Sequence, residues 1–205
     1  MPKKYLPVRL LLASIVIFSL QSNCLATPLD ITFGSADTPT GLYPQLNIIE
    51  SGISLSITSS TSTAVPSQIF LDSSGLGIRL LDGSDGNELD NLGPDESLVL
   101  RFSEDVTLLN ATFSQLGTND DFIISSLSNV YASNFTNGNI NDTGSQQVML
   151  TNLSGNEFIF SALGTYSEYS LKALSFEKFM VDAPPALALF LGGFLFVYQR
   201  KRQLA

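Results

Sequence analysis

Ile53-Ser54-Leu55-Ser56-Ile57-Thr58 alternates apolar and polar residues without a break. Successive side chains of a strand point to opposite faces, so this stretch reads as a strand with one buried and one solvated face. Leu29-Asp30-Ile31-Thr32-Phe33 alternates in the same way. Leu98, Leu100 and Phe102 share one face of a further strand, with Val99, Arg101 and Ser103 on the other. Short strands are expected at Gln68–Leu71 and Leu76–Leu81, separated by the turn residues Asp72-Ser73-Ser74-Gly75. Glu104-Asp105 reads as a hairpin turn leading into a strand over Val106–Phe113. Later strands are expected at Phe122–Ser125, Val148–Thr151, Phe158–Ala162 and Ser167–Phe176. Between them lie Gly/Asn/Ser/Asp clusters at 117–121, 137–145 and 154–156, while Thr38–Pro44 reads as a link and Ser59–Thr63 as a loop. No part of this region sustains a helical period. Many short strands with turn signals between them predict an all-β chain, an antiparallel β-sandwich of jelly-roll-like type.

The two ends have a different character. Lys3, Lys4 and Arg9 precede an apolar stretch from Leu10 to Leu20, and Cys24-Leu25-Ala26 places small residues where signal peptidase reads them. This predicts a secretory signal peptide over residues 1–26, cut after Ala26. Asn23 stands where a lipoprotein carries Gly, Ala or Ser, which disfavours lipidation of Cys24. At the other end, Val181-Asp182-Ala183-Pro184-Pro185 leads into an apolar run from Ala186 to Tyr198, and Arg200, Lys201 and Arg202 follow. That run has 13 residues, whereas a membrane helix needs roughly 20. It predicts a short transmembrane helix starting near Pro185, with the basic cluster as a cytoplasmic stop and the preceding domain outside. The terminal Arg-Lys-Arg argues against a glycolipid-anchor signal, which would end apolar. The domain plan is therefore 1–26 signal peptide, 27–180 β-sandwich and 181–205 C-terminal tail.

A proline-marked motif, a short hydrophobic segment and a terminal basic cluster, in that order, resemble the PEP-CTERM tail of exported bacterial proteins. The match is to the variant reading Val-x-Ala-Pro, here Val181 to Pro184; no Glu lies between prolines. The resemblance extends into the domain at Gly75-Leu76-Gly77-Ile78, Glu88-Leu89-Asp90-Asn91, Glu96 to Phe102 and Tyr169 to Phe176. It implies a β-sandwich that an exosortase-type membrane protease cuts near Ala183-Pro184 and passes to the cell surface or extracellular matrix. The plain alternative is a C-terminal anchor that is never processed.

All 19 acidic residues lie between Asp30 and Asp182, where Arg79, Arg101, Lys172 and Lys178 are the four basic ones. The mature segment from Thr27 to Asp182 thus carries 4 − 19 = −15, against −9 for the whole chain. Such a field repels nucleic acid and anionic lipid. The chain has no His and no Trp, and its single Cys falls within the signal peptide. Ser-His-Asp and Cys-His catalysis, His-ligated metals and disulfides are therefore not available to the mature chain. Carboxylate chemistry remains. The densest acidic stretch, Asp82 to Asp90, offers Asp82, Asp85, Glu88 and Asp90 as oxygen ligands for Ca²⁺, without the spacing of an EF-hand; as turn residues they also suit a solvated loop. A pair of carboxylates would permit a glycosidase, but no pair among so many can be selected. Four Asn-x-Ser/Thr sequons begin at Asn110, Asn134, Asn141 and Asn152, which a Ser/Asn-rich sequence produces by chance.

The expectation is a non-enzymatic exported surface or matrix protein with a structural or binding role linked to exopolysaccharide. Its partners would be signal peptidase, the exosortase-type protease, the membrane through its C-terminal helix, and extracellular polysaccharide. The alternatives are a calcium-dependent carbohydrate-binding module and a carboxylate-based glycosidase.

Overall fold

Ile53, Leu55 and Ile57 are buried and Ser54 is exposed, as the alternation dictates, in a strand that runs Ile53–Thr61. The computed structural model describes residues 27–84, 86–117, 120–127, 130–134, 145–163 and 167–178. Among them are twelve strands and no helix: β1 Leu29–Thr32, β2 Gly41–Tyr43, β3 Leu46–Glu50, β4 Ile53–Thr61, β5 Ser67–Leu71, β6 Leu76–Leu80, β7 Leu89–Asp90, β8 Glu96–Ser114, β9 Asp121–Ser126, β10 Val130–Asn134, β11 Ser145–Leu163 and β12 Glu168–Lys178. Every pairing between them is antiparallel. The predicted signal peptide with Ala26, the motif Val181 to Pro185, the tail helix and Arg200, Lys201 and Arg202 lie outside the described residues.

Two strands of 19 residues, β8 and β11, organise the rest. They pair with each other along most of their length. The first half of β8 pairs with β4 on its other side, and the second half of β11 pairs with β9. One layer is therefore β3–β4–β8–β11–β9–β10. The second half of β8 pairs instead with β12, which carries β1, β7 and β6 on its far edge, with β5 and β2 beyond. The same two-stranded ribbon thus contributes to both layers of a sandwich-like all-β fold.

The ribbon must bend to do this, and it bends where the ladder is interrupted. Phe102 to Asp105 on β8 lie opposite the single residue Asn156, between the pairs Arg101↔Glu157 and Val106↔Gly155. Extra residues on one strand bend it and sharpen its twist. Gly155 sits at φ 150, a backbone that residues with a side chain rarely adopt. Two readings from the sequence are corrected here. Glu104-Asp105 is not a hairpin turn, and Ser154–Asn156 is not a loop between separate strands. Both are corners within continuous strands. A hairpin would pair Leu98–Phe102 with Val106–Phe113, whereas each half pairs with β11.

Inward side chains of the two layers meet in one core. Phe102 on the first layer lies 5.0 Å, centroid to centroid, from Phe176 on the second. Phe122 and Phe160 of the first layer face Phe113 of the second at 4.5 and 6.4 Å. Tyr169 packs edge-on against Phe113 at 5.1 Å. Tilted and T-shaped contacts suit the ring quadrupole, and each fully buried ring contributes about 2–3 kcal/mol through burial. With Cys24 the only cysteine, no disulfide supplements this burial in the domain.

Short local signals set the remaining connections. Ser51 and Gly52 join β3 to β4 with φ 49 and 84. Positive φ at both central residues is the two-residue turn whose twist matches the strands, and it fixes the register Glu50↔Ile53. Sequence reading passed over β3 although Ser51-Gly52 marks the turn. It also passed over β2, β7 and β10, and ended β4 too early. All but β4 are strands of two to five residues, too short to show a period.

Candidate functional site

The outer face of the first layer carries a groove of about 350 Å³ where β3, β4 and β8 run side by side. Cross-strand register creates it. Asn47, Ser56, Arg101 and Glu157 form one row across four strands. Ile49 and Ser54 are paired in the adjacent row, and the Ser54 N–H donates to Ser103 Oγ at 3.0 Å. Ser103 belongs to the corner of β8, so this side-chain bond continues the contact where the ladder stops. Ile49 is 74% exposed on the groove rim.

Hydrogen bonds hold the polar residues in place. Gln45 Nε2 donates to Asn47 Oδ1 at 2.7 Å and to Ser56 Oγ at 3.0 Å. Arg101 Nε donates to Glu157 Oε2 at 2.6 Å, an ion pair that is about half exposed on the arginine side. Pairs this exposed contribute roughly 0.2–1 kcal/mol, so this one orients side chains more than it stabilises the fold.

The acidic loop after β6 divides the residues predicted as calcium ligands. Asp82 is exposed and accepts from the Ser84 hydroxyl at 2.6 Å and the Ser84 N–H at 3.0 Å. These two bonds, the hydroxyl first, hold the Asp82 carboxyl below its ordinary value. Glu88 and Asp90 converge instead on Gly86: a methyl group placed there would lie 2.7 Å from Glu88 Oε2 and 4.0 Å from Asp90 Oδ2. Glu88 Oε2 also accepts from the Asn87 N–H at 2.8 Å, and Oε1 accepts from Gln115 Nε2 at 3.3 Å. Asp90 is buried and accepts from the Leu92 N–H at 2.8 Å, while its own N–H donates to the buried Glu96 at 3.3 Å. Asp85 lies outside the described residues. Among the described residues no group of three or more His, Cys, Asp or Glu is placed to hold a metal ion.

The backbone of this loop is packed tightly onto the sheet. A Cβ at Gly77 would sit 1.9 Å from the Asn87 carbonyl oxygen, so only glycine allows the loop to lie across β6. The Ile78 N–H donates to the Glu88 carbonyl at 3.1 Å. Gly77-Ile78 and Asn87-Glu88 are thus joined by close backbone packing, while Gly75 packs against the Leu171 backbone, which explains why glycine stands at both positions.

Tyr169 is fully buried, and its hydroxyl has no hydrogen-bond partner among the described residues. Burial pushes its phenol well above the ordinary value of 10.0. Its neighbours Phe113 and Phe122 are apolar, so the group is a core residue with a polar tip.

Nothing in the sequence pattern marked the groove, because its residues come from three separate strands, of which the one carrying Asn47 and Ile49 is too short to show a period, and Ser54, Ser56, Arg101 and Ser103 read only as the polar faces of their strands. Arg101 was assigned to the outer face of its strand, and it is exposed there. No family model matches the chain, and no curated protein matches it at a significant level.

Proposed function

We propose that this protein is an exported, non-enzymatic component of the cell surface or extracellular matrix, with a structural or binding role linked to exopolysaccharide. The observation that carries this reading is the pairing of two address segments around one domain. A signal peptide ending at Ala26 opens the chain, and the three-part tail from Val181 to Arg202 closes it. The tail's resemblance to PEP-CTERM segments supports delivery by an exosortase-type protease. In this reading the chain is held in the membrane through residues 186–198 and then released by cutting near Ala183-Pro184. The strongly acidic domain between the segments supports a soluble, extended surface setting. The two layers sharing a bent ribbon support the finer assignment of a jelly-roll-like sandwich, whose broad faces suit binding or structural work.

The test is the intact mass of the protein recovered from producing cells, together with the fate of a tag placed after Ala205. A mass equal to Thr27 to about Ala183, with the tag lost, is the expected result. A mass that retains Phe190 to Arg202 would overturn release and leave a permanent anchor.

A second reading, calcium-dependent carbohydrate binding, is favoured by Glu88 and Asp90 converging on Gly86. Two carboxylates supply part of the six to eight oxygens that Ca²⁺ takes. Calorimetry with Ca²⁺ checks it: neither heat of binding nor a rise in melting temperature would remove this reading.

A further inference from the structure

The groove between β3, β4 and β8 is mostly apolar and carries a few hydrogen-bond donors along one side, and we infer that it binds a neutral saccharide chain. The inference rests on the surface-polymer reading above and gives it a site and a ligand class.

The donor character follows from which atoms are already engaged. Asn47 Oδ1 and Ser56 Oγ each accept from Gln45, and Ser103 Oγ accepts from the Ser54 N–H. What these side chains still offer to a ligand is mainly the Asn47 amide N–H groups and the hydroxyl hydrogens of Ser56 and Ser103. Arg101 commits its Nε to Glu157, and its two terminal nitrogens have no partner among the described residues. The ligand that satisfies such a surface is rich in acceptor oxygens.

Charge narrows the class. Glu157 offsets the one cation in the row, and the segment from Thr27 to Asp182 carries 4 − 19 = −15, a field that repels polyanions. Acceptor oxygens without net charge are the hydroxyl, ring and glycosidic oxygens of a neutral sugar. Shape agrees with this. The row Asn47–Ser56–Arg101 spans two strand spacings, about 10 Å, on an open sheet face that can accommodate successive rings of a chain. Ile49, exposed beside that row, provides an apolar contact for the C–H face of a ring. A few placed polar groups beside apolar surface is the usual make-up of a small-ligand site.

The test uses the protein purified from producing cells and titrated calorimetrically with neutral hexaoses, namely cello-, laminari-, xylo-, malto- and mannohexaose. Oligogalacturonate is the anionic comparison. The expected result is saturable binding of at least one neutral hexaose, little changed between low and moderate salt. Asn47→Ala/Ser56→Ala should weaken it at least tenfold, and so should Ile49→Asp. All three positions sit on the outer face, so melting temperatures near wild type would show that the fold survives. Binding of oligogalacturonate alone, no binding of any neutral hexaose, or unchanged affinity in both folded variants would each overturn the inference. Sorting is scored separately by intact mass. A correctly trimmed protein that binds no sugar removes the groove and leaves the surface reading standing. A protein that binds sugar but keeps its tail leaves the groove standing and overturns release.

Discussion

Tyr169 shows how a single residue can join the core at a cost. Its ring packs on Phe113 and Phe122, yet its hydroxyl is buried with no partner among the described residues. An unsatisfied buried polar group costs roughly 1–3 kcal/mol, so Tyr169→Phe should raise stability by about 1 kcal/mol, measured by urea denaturation at neutral pH. The pH dependence has a definite sign. The folded phenol titrates above the unfolded value of 10.0, so folding favours the protonated form. Its contribution is fully present below pH 10 and fades as pH rises from there toward the folded value. Melting temperatures followed from pH 8 to pH 11 should fall more steeply in the wild type than in Tyr169→Phe. Equal slopes would mean that the phenol is not held in apolar surroundings. At this scale the sequence indicated which residues face inward along β1, β4 and the start of β8, because alternation is a local property. It did not indicate that Tyr169 lacks a partner, since that depends on residues brought from β8 and β9.

At the scale of elements, the main departure from expectation is the length of β8 and β11. Val148–Thr151 and Phe158–Ala162 were legible as strands, and so were Leu98–Phe102 and Val106–Phe113. Their fusion into two 19-residue strands was not. Glu104-Asp105 and Ser154-Gly155-Asn156 carry the composition of turns, and a bulged corner uses the same residue types for the same backbone reasons. Only the partner strand decides whether the chain reverses or bends. Gly155 should therefore tolerate substitution poorly although an added Cβ would make only ordinary van der Waals contacts. The nearest atom to an added Cβ is 3.8 Å away, so the penalty comes from its φ of 150 and not from crowding. Gly155→Ala should cost about 2 kcal/mol in chemical denaturation. A neutral result would mean that the corner relaxes without its glycine. β3 teaches the same lesson in a smaller way: Ser51-Gly52 announces a tight turn, and a strand of five residues is too short for period alone to reveal it.

For the molecule as a whole, stability rests on contacts between the layers. Phe113 touches Phe122, Phe160 and Tyr169 and so links β8, β9, β11 and β12. Phe113→Ala should lose about 4 kcal/mol, read as a lower urea midpoint with little change in slope, and a loss under 1 kcal/mol would show that the layers hold together elsewhere. The sequence by itself determined the all-β class, the acidic balance, the absence of histidine, and the two terminal segments from which export and sorting are proposed. Each of these depends on composition or on neighbours along the chain. Tertiary structure alone decided that β8 and β11 serve both layers, and that Glu88 and Asp90 meet over Gly86 while Asp82 turns back to Ser84. It also decided that Asn47, Ser56 and Arg101 stand in one row. Those residues are separated by up to 54 positions in the chain, and cross-strand register, set by partners distant in sequence, is what makes them neighbours.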